Sequence, residues 1–133
     1  MKIIIAGSRD FVDYEDLCKT MIHSNAAKKI TELVSGGARG ADRLGERWAK
    51  ENNIPIKQFI PEWDKLGKRA GMVRNEQMGN YADGLLAFWD GESRGTKYMI
   101  EYMKSLDKHV YVRRYDMDEK YTTCVIGTST KKA

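Results

Sequence analysis

A chain of 133 residues with 41% hydrophobic residues can bury a core in one domain, which excludes a disordered protein and a miniature scaffold held together by disulfides. It has two cysteines without metal-ligand spacing and no apolar run near the roughly 18 residues of a membrane helix, so we expect a soluble cytoplasmic protein without a membrane partner. A net charge of +4 and a pI near 9.0 suit an anionic partner, although scattered surface lysines would produce the same total.

The first part of the chain predicts a strand, a helix and a second strand. Residues 2–6 form a β-branched run that ends at Gly7, which is typical of a buried strand followed by a turn. Asp13 is a suitable N-cap for a helix over residues 14–29. Residues 31–35 then predict a second strand.

The stretch after Ser35 is the most informative of the sequence. Three glycines, Gly36, Gly37 and Gly40, fall within five positions, and a helical pattern opens at Ala41. Glycine permits positive φ and a close approach of the backbone to a ligand. The first turn of the following helix offers unpaired N–H groups and the positive end of its dipole. Strand, glycine turn and helix N-terminus together predict a site for an anion, most often phosphate.

The rest of the chain continues this alternation. The remaining predicted elements are, in order, a helix over residues 42–52, a strand over 54–60, a loop over 61–69 that contains Trp63, a helix from Lys68 or Ala70 to Tyr81 with Met72 and Met78 inward, a strand over Gly84–Trp89, a helix over 96–106, a strand over 108–113 and an edge strand over 121–126. Residues 1–113 are therefore predicted to form a single doubly wound, Rossmann-like α/β domain with a mainly parallel sheet of about five strands. We expect residues 114–133 to be a C-terminal extension that supplies the edge strand and ends in a frayed tail over 128–133.

Three of the predicted strand exits combine glycine with polar or basic side chains. In a doubly wound sheet, ligands bind beyond the carboxyl ends of the strands, where the strand order reverses. The helix after the third strand adds an arginine and an asparagine early in its sequence, near the same edge. The candidate ligand-binding residues are Gly7, Ser8, Arg9, Ser35, Gly36, Gly37, Ala38, Arg39, Gly40, Asp42, Arg74, Asn75, Asp90, Gly91, Ser93, Arg94, Gly95 and Thr96.

The arginines in this set suit planar, bidentate contact with phosphate, and their convergence predicts a phosphorylated or nucleotide-like ligand. Taken singly, each arginine could be a solvated surface charge and each glycine turn only a tight connection. We expect backbone N–H groups of residues 36–40 and 91–96 to hold phosphate. Asp42 or Asp90 would bond a ribose hydroxyl.

No residue pattern identifies a catalytic group, so the catalytic residues stay unknown. His23 and His109 have no cysteine or carboxylate at ligand spacing, and we therefore expect no metal and no cofactor. Ser8 and Ser35 have no histidine on a neighbouring predicted loop that could act as a base. No acidic side chain has a visible partner that would tune its pKa.

Several motifs in this order resemble the YspA/YpsA-related branch of the SLOG superfamily. The motifs are GSR-x-F at residues 7–11, SGGARGAD at 35–42, W-x3-GK-x-AG-x2-RN at 63–75, AD-x-LLAFWDG at 82–91 and S-x-GT at 93–96. The resemblance covers residues 1 to 113 and implies a Rossmann-like domain that binds nucleotides or nucleotide-derived ligands through its two glycine loops. It also implies self-association, so we expect a homo-oligomer.

Relatives of this branch suggest different activities. The LOG-type phosphoribohydrolases cleave an N-glycosidic bond in nucleotides. Their catalytic glutamate lies three residues after a threonine that corresponds to Thr96. This chain has Met99 at that position, and its nearest glutamate is Glu101. DprA-like proteins bind single-stranded DNA, which the basic edge and Trp63 would also suit. Our prediction is a protein that binds a phosphorylated nucleotide or ADP-ribose-like ligand, in order to sense or sequester it. Met99 at the position of the LOG-type glutamate counts against an enzyme, but the sequence leaves catalysis open. The alternatives are a phosphoribohydrolase-like enzyme and a DNA-binding protein.

Overall fold

The computed structural model describes residues 1–117 and, for the backbone alone, residues 123–126. Its strands are β1 (Lys2–Gly7), β2 (Glu32–Ser35), β3 (Ile56–Gln58), β4 (Gly84–Trp89), β5 (His109–Arg114) and β6 (Thr123–Ile126). Its helices are α1 (Tyr14–His23), α2 (Ala26–Lys29), α3 (Ala41–Glu51), α4 (Trp63–Leu66), α5 (Ala70–Tyr81) and α6 (Arg94–Ser105), with a 3-10 turn over Gly67–Arg69. The tail predicted over residues 128–133 lies outside the described residues.

The strands form one sheet in the order β3-β2-β1-β4-β5-β6. Strands β1 to β5 are parallel, and β6 pairs antiparallel with β5. The strand order reverses between β1 and β4, which pair from Ile3 with Gly84 to Gly7 with Phe88. The predicted Rossmann-like α/β fold with a mainly parallel sheet is confirmed, and the predicted edge strand is present as β6.

Side chains along β1 alternate between two layers of the core. Ile3 and Ile5 pack in a layer with α1, α2 and α3, whereas Ile4 and Ala6 pack in a layer with α5 and α6. All four side chains are buried, as expected for a central strand that is covered on both faces. Because helices cover both faces, the carboxyl ends of β1 and β4 form an open edge between the two layers.

The first helix, predicted over residues 14–29, is two helices. Asn25 lies between α1 and α2 with φ +64°, and the Ala26 N–H donates to Ser24 Oγ at 3.2 Å. Asparagine tolerates this left-handed conformation, which ends the run of α-helical hydrogen bonds. The hydrophobic pattern continues through the break, with Met21 and Ala26 both buried, and periodicity therefore predicted a single helix.

The segment between β3 and α5 also differs from its prediction. Strand β3 begins two residues later than predicted, since Pro55 has no N–H for a strand ladder, and it ends two residues earlier. Residues 63–69 form α4 and the 3-10 turn instead of a loop. Of the two methionines predicted to face inward, Met78 is buried and Met72 is exposed. Six positions correspond to about 240° around a helix, so the two side chains cannot share one face. Helix α6 begins at Arg94, two residues earlier than predicted.

The helices of this fold are short. The longest in the described part of the chain, α5 and α6, have 12 residues each. Across the described residues, no helix combines the length and the apolar character that crossing a membrane requires.

Candidate functional site

Glycines at the open edge allow three loops to approach one another. A side chain at Gly7 would overlap the Phe88 carbonyl of β4, and a side chain at Gly40 would overlap the Ser8 carbonyl. Gly40 has φ +79°, and the neighbouring Ala41 N–H donates to the Ser8 carbonyl at 3.4 Å. The first loop therefore packs directly on the N-terminus of α3.

The turn after β2 is held by hydrogen bonds within the chain. The Gly37 N–H donates to Ser35 Oγ at 3.1 Å, and the Ala38 N–H donates to Asp42 Oδ2 at 3.2 Å. Ser35 Oγ in turn donates to Glu46 Oε2 at 2.7 Å. Two of the amides predicted to hold phosphate are thus already paired, which leaves arginine side chains as the strongest donors for an anion here.

Arg74 of α5 reaches this turn from the opposite face of the sheet. Its Nη1 donates to the Gly36 carbonyl at 2.8 Å, and its Nε donates to Asn75 Oδ1 at 2.9 Å. A side chain on Gly36 would come within 2.5 Å of Nη1, so glycine at this position makes room for the guanidinium. Burial lowers the pKa of the Arg74 guanidinium, the Asp42 carboxylate opposes this decrease, and the positive charge of Arg9 adds to it. Arg9 and Arg74 are therefore close enough to repel each other.

The Asp42 carboxyl lies beneath the same turn and is 5% exposed. Burial raises its pKa to about 6, against the opposing effects of the Ala38 N–H and Arg74, and the nearby Glu46 carboxylate adds to the increase. An acid that titrates close to neutral pH in a cleft is a common feature of functional sites.

Two adjoining spaces open at this edge. The outer groove has a volume of about 320 Å³ and is lined by Arg9, Gly36, Gly37, Ala38, Arg39, Ile60, Pro61, Trp63 and Arg74. The inner cavity has a volume of about 120 Å³ and is lined by Ala6, Gly7, Arg9, Ala38, Asp42, Arg74, Asn75, Met78, Ser93, Gly95, Thr96 and Met99. Arg9, Ala38 and Arg74 line both spaces and separate them.

The loop after β4 contributes to the inner cavity through the start of α6. Ser93 caps this helix by accepting the Thr96 N–H at 3.5 Å, and the two hydroxyls lie 3.1 Å apart. Asp90 accepts the backbone N–H groups of Ser93 at 2.8 Å and Glu92 at 2.9 Å, which hold the pKa of its carboxyl below its usual range. Gly91 has φ +84° and lies against the Arg114 guanidinium. Asp90 and Gly91 thus shape the loop itself.

The structure brings most of the predicted residues together, and the others lie behind or beside them. The predicted residues that line one of the two spaces are Gly7, Arg9, Gly36, Gly37, Ala38, Arg39, Asp42, Arg74, Asn75, Ser93, Gly95 and Thr96. Ser8, Ser35, Gly40, Asp90, Gly91 and Arg94 line neither.

Ser8 differs from the other predicted residues in having an unsatisfied hydroxyl. It is 3% exposed and lies beside Asp90 and Tyr115. Among the described residues, Ser8 Oγ is the one buried polar side-chain atom that has no hydrogen-bond partner. Arg94, by contrast, is exposed on the first turn of α6.

Sequence reasoning left Ile60, Pro61, Met78 and Met99 out of the site, and named Trp63 only as a stacking candidate. Ile60, Pro61 and Trp63 follow β3, so the carboxyl end of β3 reaches the open edge in addition to those of β1, β2 and β4. The position of these residues after a predicted strand was the available signal. It was missed because this exit has no glycine next to the strand end.

The histidines lie away from this edge. His23 ends α1, and His109 begins β5 at the opposite end of the sheet. In the part of the chain that the structure describes, no three His, Cys, Asp or Glu side chains are grouped so that they could hold a metal ion.

Comparisons with known proteins give one family and one curated relative. The model of the YspA, cpYpsA-related SLOG family matches residues 1–66. The "Gene 61 protein" of Mycobacterium phage D29 is 34% identical over 108 residues, which cover 74% of this chain and 85% of the phage protein. No solved structure matches the chain.

Proposed function

Because this chain belongs to the YspA, cpYpsA-related SLOG family, we propose that it binds a phosphorylated nucleotide or a nucleotide-derived ligand at the open edge of its sheet. Membership of the family suggests nucleotide-related binding or processing. The observation that supports our proposal most strongly is the convergence of Arg9, Arg39 and Arg74, from three separate elements, on the outer groove.

These three arginines are suited to binding phosphate because no acidic side chain in the described part of the chain lies within hydrogen-bonding range of them. Among residues 1–117, none of them forms a salt bridge, whereas Arg47, Arg113 and Arg114 do. A guanidinium presents a planar set of donors that matches two phosphate oxygens. Mutual repulsion between Arg9 and Arg74 is relieved when an anion lies between them, which favours the charged ligand.

The inner cavity favours a ligand with a sugar next to its phosphate. Asp42, Asn75 and Thr96 supply a carboxyl, an amide and a hydroxyl there, which are groups that bond sugar hydroxyls. Since the two spaces meet at Arg9 and Arg74, a diphosphate at that junction would place a terminal sugar in the inner cavity and leave the outer groove for the nucleoside at its other end. An ADP-ribose-like molecule has this arrangement.

Substitution of the arginines tests the proposal. We expect Arg39→Ala and Arg74→Ala each to weaken binding of ADP-ribose and of nucleoside monophosphates by about tenfold or more, because each removes charged hydrogen bonds to phosphate. Isothermal titration calorimetry measures the affinities. Arg94→Ala is the matched control, since Arg94 is exposed and lines neither space, and its affinity should equal that of the wild type. Equal affinities in all three variants would show that the anion binds elsewhere.

The hydrolase alternative is tested with the same samples. Met99 is buried at the position of the glutamate of LOG-type enzymes and lines the inner cavity with a thioether, which cannot transfer a proton. Glu101 is exposed and lines neither space. In favour of the alternative, Asp42 is an acid with a raised pKa in the same cavity. We expect the nucleotide to be recovered intact after incubation, and release of free base would establish the hydrolase.

A further inference from the structure

The outer groove is lined by apolar side chains as well as by its arginines. Ile60 is 61% exposed and Trp63 is 53% exposed, although both are large hydrophobic side chains. Ile60 Cδ1 lies 3.5 Å from where a side chain on Gly37 would begin, and Trp63 Cη2 lies 3.6 Å from the corresponding point on Gly71. Ile60 therefore borders the glycine turn, and Trp63 lies over the start of α5.

Packing in the core does not explain the exposure of Trp63. By comparison, the side chain of Trp48 on α3 packs in the core and is only 7% exposed. Leaving half of an indole in contact with water forgoes favourable apolar burial. The indole lies instead at a groove that it shares with Arg9, Arg39 and Arg74.

The combination of an aromatic side chain with three arginines selects a particular ligand chemistry. A ligand that satisfies both needs a flat apolar part and an anionic part separated by a short linker. A nucleobase joined to a phosphate through ribose has these parts, whereas a sugar phosphate has only the second. A volume of about 320 Å³ lies within the range of small-molecule sites.

We infer that Trp63 stacks on the nucleobase of the ligand while the arginines hold its phosphate, so that the outer groove is a base-binding site. This inference rests on the proposed function, and it identifies the ligand as a compound that contains a base. Ile60 borders the same space and contributes apolar contact. Because every base has a π-face, stacking of this kind tolerates all four bases.

The test compares ligands with and without a base. Adenosine, guanosine, cytidine and uridine monophosphates and ribose 5-phosphate are titrated into the wild-type protein, Trp63→Ala and Trp63→Phe. We expect Trp63→Ala to weaken nucleotide binding on the order of tenfold and to leave ribose 5-phosphate unchanged, since only a base can stack. Trp63→Phe keeps an aromatic ring and should retain most of the affinity.

Met72→Ala is the matched control. Met72 is as exposed as Trp63, at 53%, but does not line the groove, so its removal should leave every affinity unchanged. Tryptophan fluorescence is a second readout. Nucleotide should quench the emission of the wild type, and this quenching should largely disappear in Trp63→Phe, because Trp48 is buried and Trp89, at the end of β4, lines neither space.

Each outcome bears on a different claim. If nucleotides and ribose 5-phosphate bind equally well and Trp63→Ala changes neither, the inference is wrong and the phosphate site stands. If no phosphate compound binds the wild type, the proposed function fails and the inference fails with it. A change in oligomeric state on Trp63→Ala, with unchanged nucleotide affinity, would show instead that this groove is an interface between copies of the chain.

A short thymidine oligonucleotide in the same titration distinguishes two ligands that both carry a base and a phosphate: a free nucleotide and single-stranded DNA. Binding of mononucleotides as tightly as the oligonucleotide supports a small-molecule site. Binding of the oligonucleotide alone, with an affinity that falls steeply as salt is raised, would replace it with a site for single-stranded DNA.

Discussion

Asp42 combines burial with a charge that the surrounding protein does not fully compensate. Its carboxyl accepts the Ala38 N–H and lies near Arg74, yet burial still raises its pKa to about 6. The raised pKa means that the folded state favours the protonated form. Asp42 therefore contributes full stability below the unfolded pKa near 4, and this contribution is lost as the pH rises through 6.

We predict that Asp42→Asn stabilises the protein at pH 7.5 and has little effect at pH 4. Asparagine keeps an oxygen that can accept the Ala38 N–H but removes the ionisation, which costs on the order of 3 kcal/mol at a pH well above 6. Urea unfolding at the two pH values measures the difference. Asp64→Asn is the control, because Asp64 is an exposed carboxylate on α4. The same change in stability at both pH values would contradict the raised pKa.

Helices α3 and α6 both begin at the open edge, but their first residues differ. Ser93 caps α6 with its side chain, whereas Gly40 precedes α3 without a side-chain hydrogen bond. Gly40 is required for a different reason: it combines φ +79° with close contact to the Ser8 carbonyl. Gly95, on the first turn of α6, has no atom within 4 Å of the point where a side chain would begin.

We predict opposite effects for alanine at these two glycines. Gly40→Ala should lower the free energy of unfolding by about 2 kcal/mol or more, because it strains the backbone and separates the first and second loops. Gly95→Ala should raise it by a few tenths to about 1 kcal/mol, since alanine favours a helix and has room there. Thermal and urea unfolding of the two variants decide this. A loss of stability in Gly95→Ala similar to that in Gly40→Ala would contradict the different roles of the two glycines.

At the scale of the whole molecule, the sheet joins the part that the family model matches to the part that it does not. Residues 1–66 contain β1, β2 and β3, whereas β4 and β5 lie beyond them. Strand β1 pairs with β4 along five residue pairs, and its buried Ile4 packs against side chains of α5 and α6. The matched segment on its own would expose one edge and one face of its central strand.

We predict that a fragment of residues 1–66 does not fold by itself, and that the full chain unfolds in one cooperative transition. Removing β4, α5 and α6 leaves one edge of β1 unpaired and its Ile4 and Ala6 side chains without the helices that cover them. Circular dichroism during heating distinguishes the two cases. A cooperative transition in the fragment would mean that residues 1–66 are an independent folding unit.

The fold could be predicted from the sequence because its signals are local and repeated. Runs such as Gly84–Trp89 have the apolar character of a buried parallel strand, and the glycine turns mark where strands end. The break at Asn25 has a weaker signal, since an asparagine inside an amphipathic pattern does not by itself end a helix. The short helix α4 has no buried side chain and contacts mainly the 3-10 turn and α5, so no hydrophobic periodicity marks it in the sequence.

The candidate site was predicted through its backbone and partly through its side chains. The glycine turns and the early position of Arg74 in its helix indicated where the chain would converge. The sequence did not reveal that Asp90 would accept hydrogen bonds from its own loop, because this depends on the path of the backbone after β4. It also did not reveal that Ile60 and Trp63 would stay exposed, since apolar residues near a strand are usually buried.

The internal hydrogen bonds of the turn after β2 have a kinetic consequence. With Gly37 bonded to Ser35 and Ala38 bonded to Asp42, the turn is ordered before any ligand arrives. A surface that is formed in advance loses little conformational entropy on binding and requires no slow rearrangement. Related ligands should then associate at similar rates, and their affinities should differ mainly in how long each complex survives.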